Sequence, residues 1–271
     1  MKRIGIVAPA SRIFPEFPER LRAAVGPRFG GRVELVFHPQ CFESWGHFAG
    51  TDDQRAAAFV EVANDPGFDA LWFGRGGYGS GRIVEAVLPR LNEAARAKTY
   101  LGYSDAGSML GALYHAGFPH IAHGPVACDL LRQGGEAAVE RALAWLVDRD
   151  PASLEAGLTN APTIAFNLTI LSHLIGTPWM PDLSGHVLLV EEVSEHMYRI
   201  DRALWHVLHA VKGLAGLRLG RCSLIPENDP DFGQDEETVA RHWCGVTGVP
   251  YLGRADIGHD AGNRVVPFGV R

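Results

Sequence analysis

Lysine is nearly missing from this chain. Three of 271 residues are lysine, and the rest of the 25 basic side chains are arginine. There is no Lys/Arg block, and the formal net charge is −6. Nucleic acid therefore has no basic footprint to bind. Arginine favours fixed, forked contacts with carboxylates over diffuse surface charge. Cysteine is sparse too: Cys41, Cys128, Cys222 and Cys244 stand apart, with no CxxC. Four could pair, but with no export signal the reading is reduced thiols. No apolar run approaches the ~20 residues of a membrane span. The opening MKRIGIVAPASRIF is positive at its start, but its apolar run of about five residues stops at Pro9, short of the roughly seven of a secretory core. It reads as a first strand, in a cytoplasmic protein. Internal repeats and low-complexity tracts are also missing.

What remains is the make-up of a protein with a real core. Hydrophobic residues are 46% and charged residues 21%, enough for one large domain or two modest ones. The first half alternates between two periods. Short apolar runs at Ile4–Ala8, Val33–Phe37, Ala70–Phe73, Thr99–Tyr103 and Ile121–Ala122 predict buried strands. Helical patterns fall between them at Glu16–Pro27 (interrupted by Pro18), Asp52–Asn64, Arg82–Ala97 and Ala106–His115. Strand–helix repeats with short connections imply a parallel sheet covered by helices, with ligands at the carboxyl ends of the strands. After the helix Gly135–Val147, the polar, small-residue stretch 148–160 has no clear period and reads as a boundary. The expected division is an α/β domain over 1–150 and a second, β-rich α/β domain over 151–271. The second half offers a helix near Leu168–Leu174, strands at His186–Val190, Arg218–Ile225 and Asn263–Val270, and helices at Tyr198–Val211 and Asp235–Cys244.

Three segments could carry chemistry. FGRGGYGSGR, residues 73–82, follows a predicted strand, so its glycines let backbone N–H groups approach a ligand. Gly74, Gly76 and Gly79 match G-x-G-x-x-G. However, this is the third strand, and Gly102 or Tyr103 stands where a ribose-binding acid would be needed. GYSDAG, residues 102–107, nearly matches the G-x-S-x-G elbow but has one residue too many before its second glycine. Ser104 is either a nucleophile at a strand–helix junction or an ordinary N-cap. In IGHDAGNRVVPFG, residues 257–269, His259 sits in a glycine-flanked loop that suits an exposed base. HVLLVEEV, residues 186–193, runs an apolar strand into Glu191 and Glu192, carboxylates that are costly there unless paired. A metal is the rival use for such side chains, but His115, His120 and His123, or His206 and His209, fit no HExxH or finger spacing.

Taken in order, RGGYG (75–79), GYSD (102–105), HGP (123–125), GTPW (176–179), EEV..E..YRIDR (191–202) and GH...N...P.G (258–269) are joined by His47 with AGTDDQR. Together they resemble the LD-carboxypeptidase family of serine peptidases, which includes the microcin C immunity peptidases. The resemblance covers essentially the whole chain. It implies a Ser–Glu–His triad split between the two domains, at Ser104, Glu191 and His259. Glu192 is the less favoured alternative, because strand alternation turns it to the other face. Oxyanion donors would be the N–H groups of Asp105 and Gly77. The resemblance further implies a homodimer and a peptide substrate with a free C-terminal carboxylate; no cofactor or metal is expected. Arg75, Arg82, Arg199 and Arg202 are candidates to grip that carboxylate. The implied reaction releases a terminal D-amino acid from an L-configured centre in cytoplasmic muropeptides. Hydrolysis of a peptidyl-nucleotide antibiotic, or silent binding of a nucleotide or peptide, are the alternatives. The chain departs from the family pattern at AFNL, where GGNL is usual, and at APA in place of APS.

Overall fold

The computed structural model describes residues 1–158 and 160–270; Thr159, within the 148–160 segment, and Arg271 lie outside the described residues. The strands are β1 (Lys2–Val7), β2 (Val33–Phe37), β3 (Ala70–Phe73), β4 (Thr99–Gly102), β5 (Ile121–His123), β6 (Thr163–Asn167), β7 (Val187–Val193), β8 (Gly216–Ser223), β9 (Tyr251–Arg254) and β10 (Val266–Pro267). Between them lie α1 (Phe17–Phe29), α2 (Asp52–Asn64), α3 (Val84–Val87), α4 (Glu93–Arg96), α5 (Gly107–His115), α6 (Gly135–Leu143), α7 (Leu168–Leu174), α8 (Met197–Ala210) and α9 (Glu236–Thr247).

Two sheets result. The first has the order β10-β5-β4-β3-β1-β2 and is parallel except for β10. The second, β6-β7-β8-β9, is parallel throughout. Strands buried on both faces explain why Ala70–Phe73 and Leu188–Val190 read as unbroken apolar runs. Met109, Leu110 and Leu113 form the stripe that seats α5 in the core. The α/β architecture expected from the alternation is the one observed.

Several elements differ from expectation. Pro18 lies in the first turn of α1, where its missing N–H would be unpaired anyway, so it starts the helix rather than interrupting it. The helix expected over Arg82–Ala97 is broken into α3 and α4. Pro89 interrupts it and Asn92 caps a new start, accepting from the Ala95 N–H at 3.1 Å. The strands β6 and β9 had no counterpart in the sequence reading. The last strand is only Val266–Pro267, and it pairs with β5 of the first sheet. The chain's end thus returns from the second sheet to the first. Glu155 helps seat this return, since its carboxylate meets Arg218 of β8 at 2.5 Å and its N–H donates to the Val265 carbonyl. That crossing brings the segment before β10 over the carboxyl end of β4.

Candidate active site

At the end of β4 the backbone is extended at Tyr103, and then turns sharply into the short 3₁₀ turn Ser104–Ala106 that leads into α5. Ser104 has φ of +60°, a left-handed conformation that costs a non-glycine residue on the order of 1–3 kcal/mol. Tyr103, not Ser104, holds the cap position of the turn. The serine hydroxyl instead lies 3.0 Å from His259 Nε2. The N-cap reading of Ser104 therefore fails, and the strain aims a hydroxyl at an imidazole 155 residues away.

His259 projects from the loop between β9 and β10. Its side chain is only 6% exposed, less than a glycine-flanked loop suggested, and the Tyr103 ring packs on it at 4.8 Å. The loop is held at several points. Arg132 donates to the His259 carbonyl at 2.9 Å. Arg221 forks onto Asp260 at 2.5 and 3.0 Å, and Arg141 donates to the carbonyls of Ala261 and Asn263. Buried Asn263 uses its Oδ1 to accept from the Gly258 N–H and from His123 Nε2. His123 is itself buried, which lowers its pKa to about 3 and keeps the ring neutral. Asp129 braces the other side. It accepts from the Tyr103 hydroxyl at 2.9 Å and from Arg132 at 2.7 Å. The sequence reading assigned no role to Arg132, Asp129, Asn263 or Arg221; the local hints were HGP at 123–125 and the asparagine of GH...N...P.G, which is Asn263.

The second nitrogen of His259 meets Glu191 on β7, with Nδ1 2.6 Å from Oε2. A carboxylate only accepts, so Nδ1 carries the proton and Nε2 is free to accept from Ser104. Glu191 is fully buried. Burial pushes its carboxyl pKa up, and the neighbouring imidazole pulls it back down. Glu192 faces the other way, as alternation requires. Its oxygens accept from Asn167 Nδ2 (2.7 Å), the Thr169 N–H (2.9 Å) and hydroxyl (2.6 Å), and the Val193 N–H (2.9 Å). Gly220 on β8 makes the close packing feasible, since a Cβ there would stand 2.9 Å from Glu191 Cβ and 2.7 Å from Ile257 Cγ1.

The glycine turn lies against Ser104. A Cβ on Gly76 would sit 3.2 Å from both the Cβ and Oγ of Ser104, and Gly77 has φ of +118° beside Ser11. Asp105 ties the turn to the serine loop. Its buried carboxylate accepts from the N–H groups of Gly79 (3.1 Å) and Ser80 (2.8 Å), and the Ser80 hydroxyl donates to its carbonyl.

The four arginine candidates separate. Arg82 grips Asp52, and Arg199 reaches Glu195 and Tyr198. Arg75 donates to the Arg12 carbonyl, and Arg202 lies over the Tyr198 ring. Among the described residues neither of these last two has a carboxylate partner. No three of the described His, Cys, Asp and Glu side chains converge as metal ligands. A surface cavity of about 810 Å³ between α1 and β2, lined by Arg22, Phe29 and Phe37, includes none of Ser104, Glu191, His259 or the four arginine candidates.

A hydroxyl, an imidazole and a buried carboxylate connected in series can move a proton off the hydroxyl as it attacks a carbonyl. Comparison with known proteins bears on what such a site serves. Residues 4–124 match the model of the LD-carboxypeptidase N-terminal domain, and residues 160–271 match that of the C-terminal domain. The murein tetrapeptide carboxypeptidase of Pseudomonas aeruginosa is 29% identical, over 98% of this chain and 91% of that one. The crystal structure of muramoyltetrapeptide carboxypeptidase from Oxalobacter formigenes superposes with a TM-score of 0.79 at 25% identity, covering 98% of this chain and 93% of that one. The microcin C7 self immunity protein MccF, in complex with aspartyl sulfamoyl adenosine, has the same fold. Its TM-score is 0.80 at 19% identity, with 99% and 91% covered.

Proposed function

The chain belongs to the LD-carboxypeptidase family of serine peptidases, and from that premise we propose that it removes a C-terminal D-amino acid from short murein peptides with Ser104 as nucleophile. The observation that carries this reading is the series Ser104 Oγ, His259 and Glu191, at 3.0 and 2.6 Å. In the proposed mechanism His259 takes the serine proton as Oγ attacks the carbonyl carbon, a step worth roughly 10²–10⁴ in rate. Glu191 holds the imidazole in the productive tautomer and stabilises the imidazolium without taking the proton. The N–H groups of Asp105 and Gly77 receive the oxyanion, each worth about 2.7–4 kcal/mol. His259 then protonates the leaving amine, and water releases the acyl enzyme. GYSDAG works without a glycine two residues after its serine because the second donor comes from the separate glycine turn.

The same proposal places the enzyme in the cytoplasm, as a homodimer, acting in cell-wall recycling. Among the described residues, no helix is long and apolar enough to cross a membrane. The test is incubation with a defined tetrapeptide ending in D-Ala, with mass detection of released alanine, for wild type against His259→Ala. Release by wild type alone supports the reading, and equal release by both sinks it. The fold shared with MccF favours a second reading, hydrolysis of a peptidyl nucleotide. Cells carrying the gene would then resist such an antibiotic, and unchanged sensitivity rejects that reading.

A further inference from the structure

AGTDDQR, residues 49–55, ends in a charge that the mechanism leaves unused: Arg55 is fully buried. Its place is set locally. Thr51 caps α2 and exchanges hydrogen bonds with Gln54 at 3.2 and 2.8 Å, a capping box that fixes the first turn. Asp52 then lies three residues before Arg55 and accepts from its Nη2. The other terminal nitrogen leaves the helix. Nη1 donates to the Pro9 carbonyl just after β1, and to the Gly79 carbonyl of the glycine turn at 2.8 Å. Gly79 makes room for it, since a Cβ there would stand 2.9 Å from Nη1. The Phe48 ring covers the guanidinium at 4.6 Å, and Nε has no acceptor among the described residues. A buried cation with an idle donor is a poor device for stability alone. What this one does is tie α2, the end of β1 and the glycine turn together at one point.

A second buried charge holds the same glycine from its other side. The Asp105 carboxylate accepts from the Gly79 N–H at 3.1 Å and from the Ser80 N–H at 2.8 Å. Burial raises its pKa, and the Ser80 and Gly79 contacts and the Arg55 charge pull it back down. Arg55 thus holds the carbonyl of Gly79 and Asp105 its N–H. Beyond this grip, Gly76 packs on Ser104 and Gly77 packs on Ser11, two residues after Pro9. We propose that Arg55 is a positioning residue: with Asp105 it clamps Gly79, and so holds the Gly77 N–H where the oxyanion forms on attack by Ser104. The inference deepens the oxyanion assignment and rests on it. Residues 74–79 contain four glycines, Gly74, Gly76, Gly77 and Gly79, whose backbone freedom works against a fixed donor. Opposite charges on the two sides of Gly79 remove that freedom without placing a side chain in the site. Both act through one residue, so their losses overlap.

The experiment is a double-mutant cycle of Arg55→Lys, Asp105→Asn and both together. It is read by the rate at which a fluorophosphonate labels Ser104, and by thermal melts. Arg55→Lys keeps the charge and gives up the fork; Asp105→Asn keeps the backbone N–H and gives up the charge. Each change should slow labelling about 30-fold with a native circular dichroism spectrum, and the pair by about the same factor rather than the ~1,000-fold product. The pH midpoint of labelling, set by His259, should stay at its wild-type value. Losses that multiply, a shifted midpoint, or a lowered Tm with an unchanged rate each overturn the proposal. Asp52→Ala, at the half-exposed outer end of the clamp, tests it if a buried variant fails to fold. It leaves Arg55 without its carboxylate and should slow labelling about threefold or more; a wild-type rate overturns the clamp. Absence of labelling on wild-type Ser104 sinks the nucleophile and the clamp together. Wild-type labelling with multiplied losses keeps the nucleophile and loses only the clamp.

Discussion

Replacing Glu191 with glutamine should nearly abolish turnover without weakening the fold. The side chain is fully buried, and one oxygen lies 2.6 Å from His259 Nδ1. The other oxygen has no hydrogen-bond partner among the described residues. Burial raises the Glu191 pKa, so the folded protein holds this carboxylate at a cost to its stability. A raised carboxyl pKa means that stability is lost as pH rises through the unfolded value towards the folded one. An amide of the same shape removes that cost. It can also rotate its NH₂ towards Nδ1 and reverse the imidazole tautomer, so that Nε2 no longer accepts from Ser104. Such reversal in an acyl-transfer triad costs about 10⁴ in kcat, close to 5 kcal/mol of transition-state stabilisation. The assays are D-alanine release and a thermal melt at pH 7. Loss of about three orders of magnitude or more in kcat with Tm equal to or above wild type is the expected pair. Activity within tenfold of wild type, or a Tm several degrees lower, refutes the assignment of Glu191 as a charge held for chemistry.

Other consequences follow from the same geometry. Ser104→Gly relieves the left-handed conformation at +60° and should melt higher than Ser104→Ala, by a gap of about 1 kcal/mol, with both inactive; identical melts contradict the strain. Buried His123, with its pKa lowered to about 3, is neutral in the fold but charges at about 6.5 when unfolded. Its contribution is intact above pH 6.5 and is lost as pH falls towards 3, reaching about 2 kcal/mol at pH 5. His123→Gln, which keeps a donor for Asn263, should flatten the slope of denaturation midpoint against pH; a slope unchanged from wild type is the contrary result. Gly220→Ala puts a Cβ within 2.9 Å of Glu191 Cβ and should cost about 1–3 kcal/mol and most of the turnover. Chemical denaturation and D-alanine release check both parts.

Local signals in the sequence reached far into this fold. Short apolar runs divided by amphipathic stretches fixed the first parallel sheet, and β4 running into GYSD marked the nucleophile's position. Alternation along LLVEE separated Glu191 from Glu192, and the structure puts them on opposite faces. The misses have physical causes. The strand β6 reads TIAFN, with only three apolar residues in its five, and it leads straight into α7, so neither a clear apolar run nor a turn marks it. The strand β9 is an edge, half exposed, and its pattern is weak. The supporting groups of the site are pairings across long separations. His123 meets Asn263 across 140 residues and Arg132 meets His259 across 127, and no local period encodes such contacts. The exposure expected of His259 failed because Tyr103, part of the GYSD turn itself, covers its ring.

The central claim is that Ser104 forms the covalent intermediate. Acid quenching during turnover of a tetrapeptide ending in D-Ala, followed by peptide mapping by mass spectrometry, tests it most directly. The account predicts an acyl adduct on the fragment containing Ser104, lost in His259→Ala. Full turnover with no adduct on that fragment, or an adduct on another residue, would contradict it.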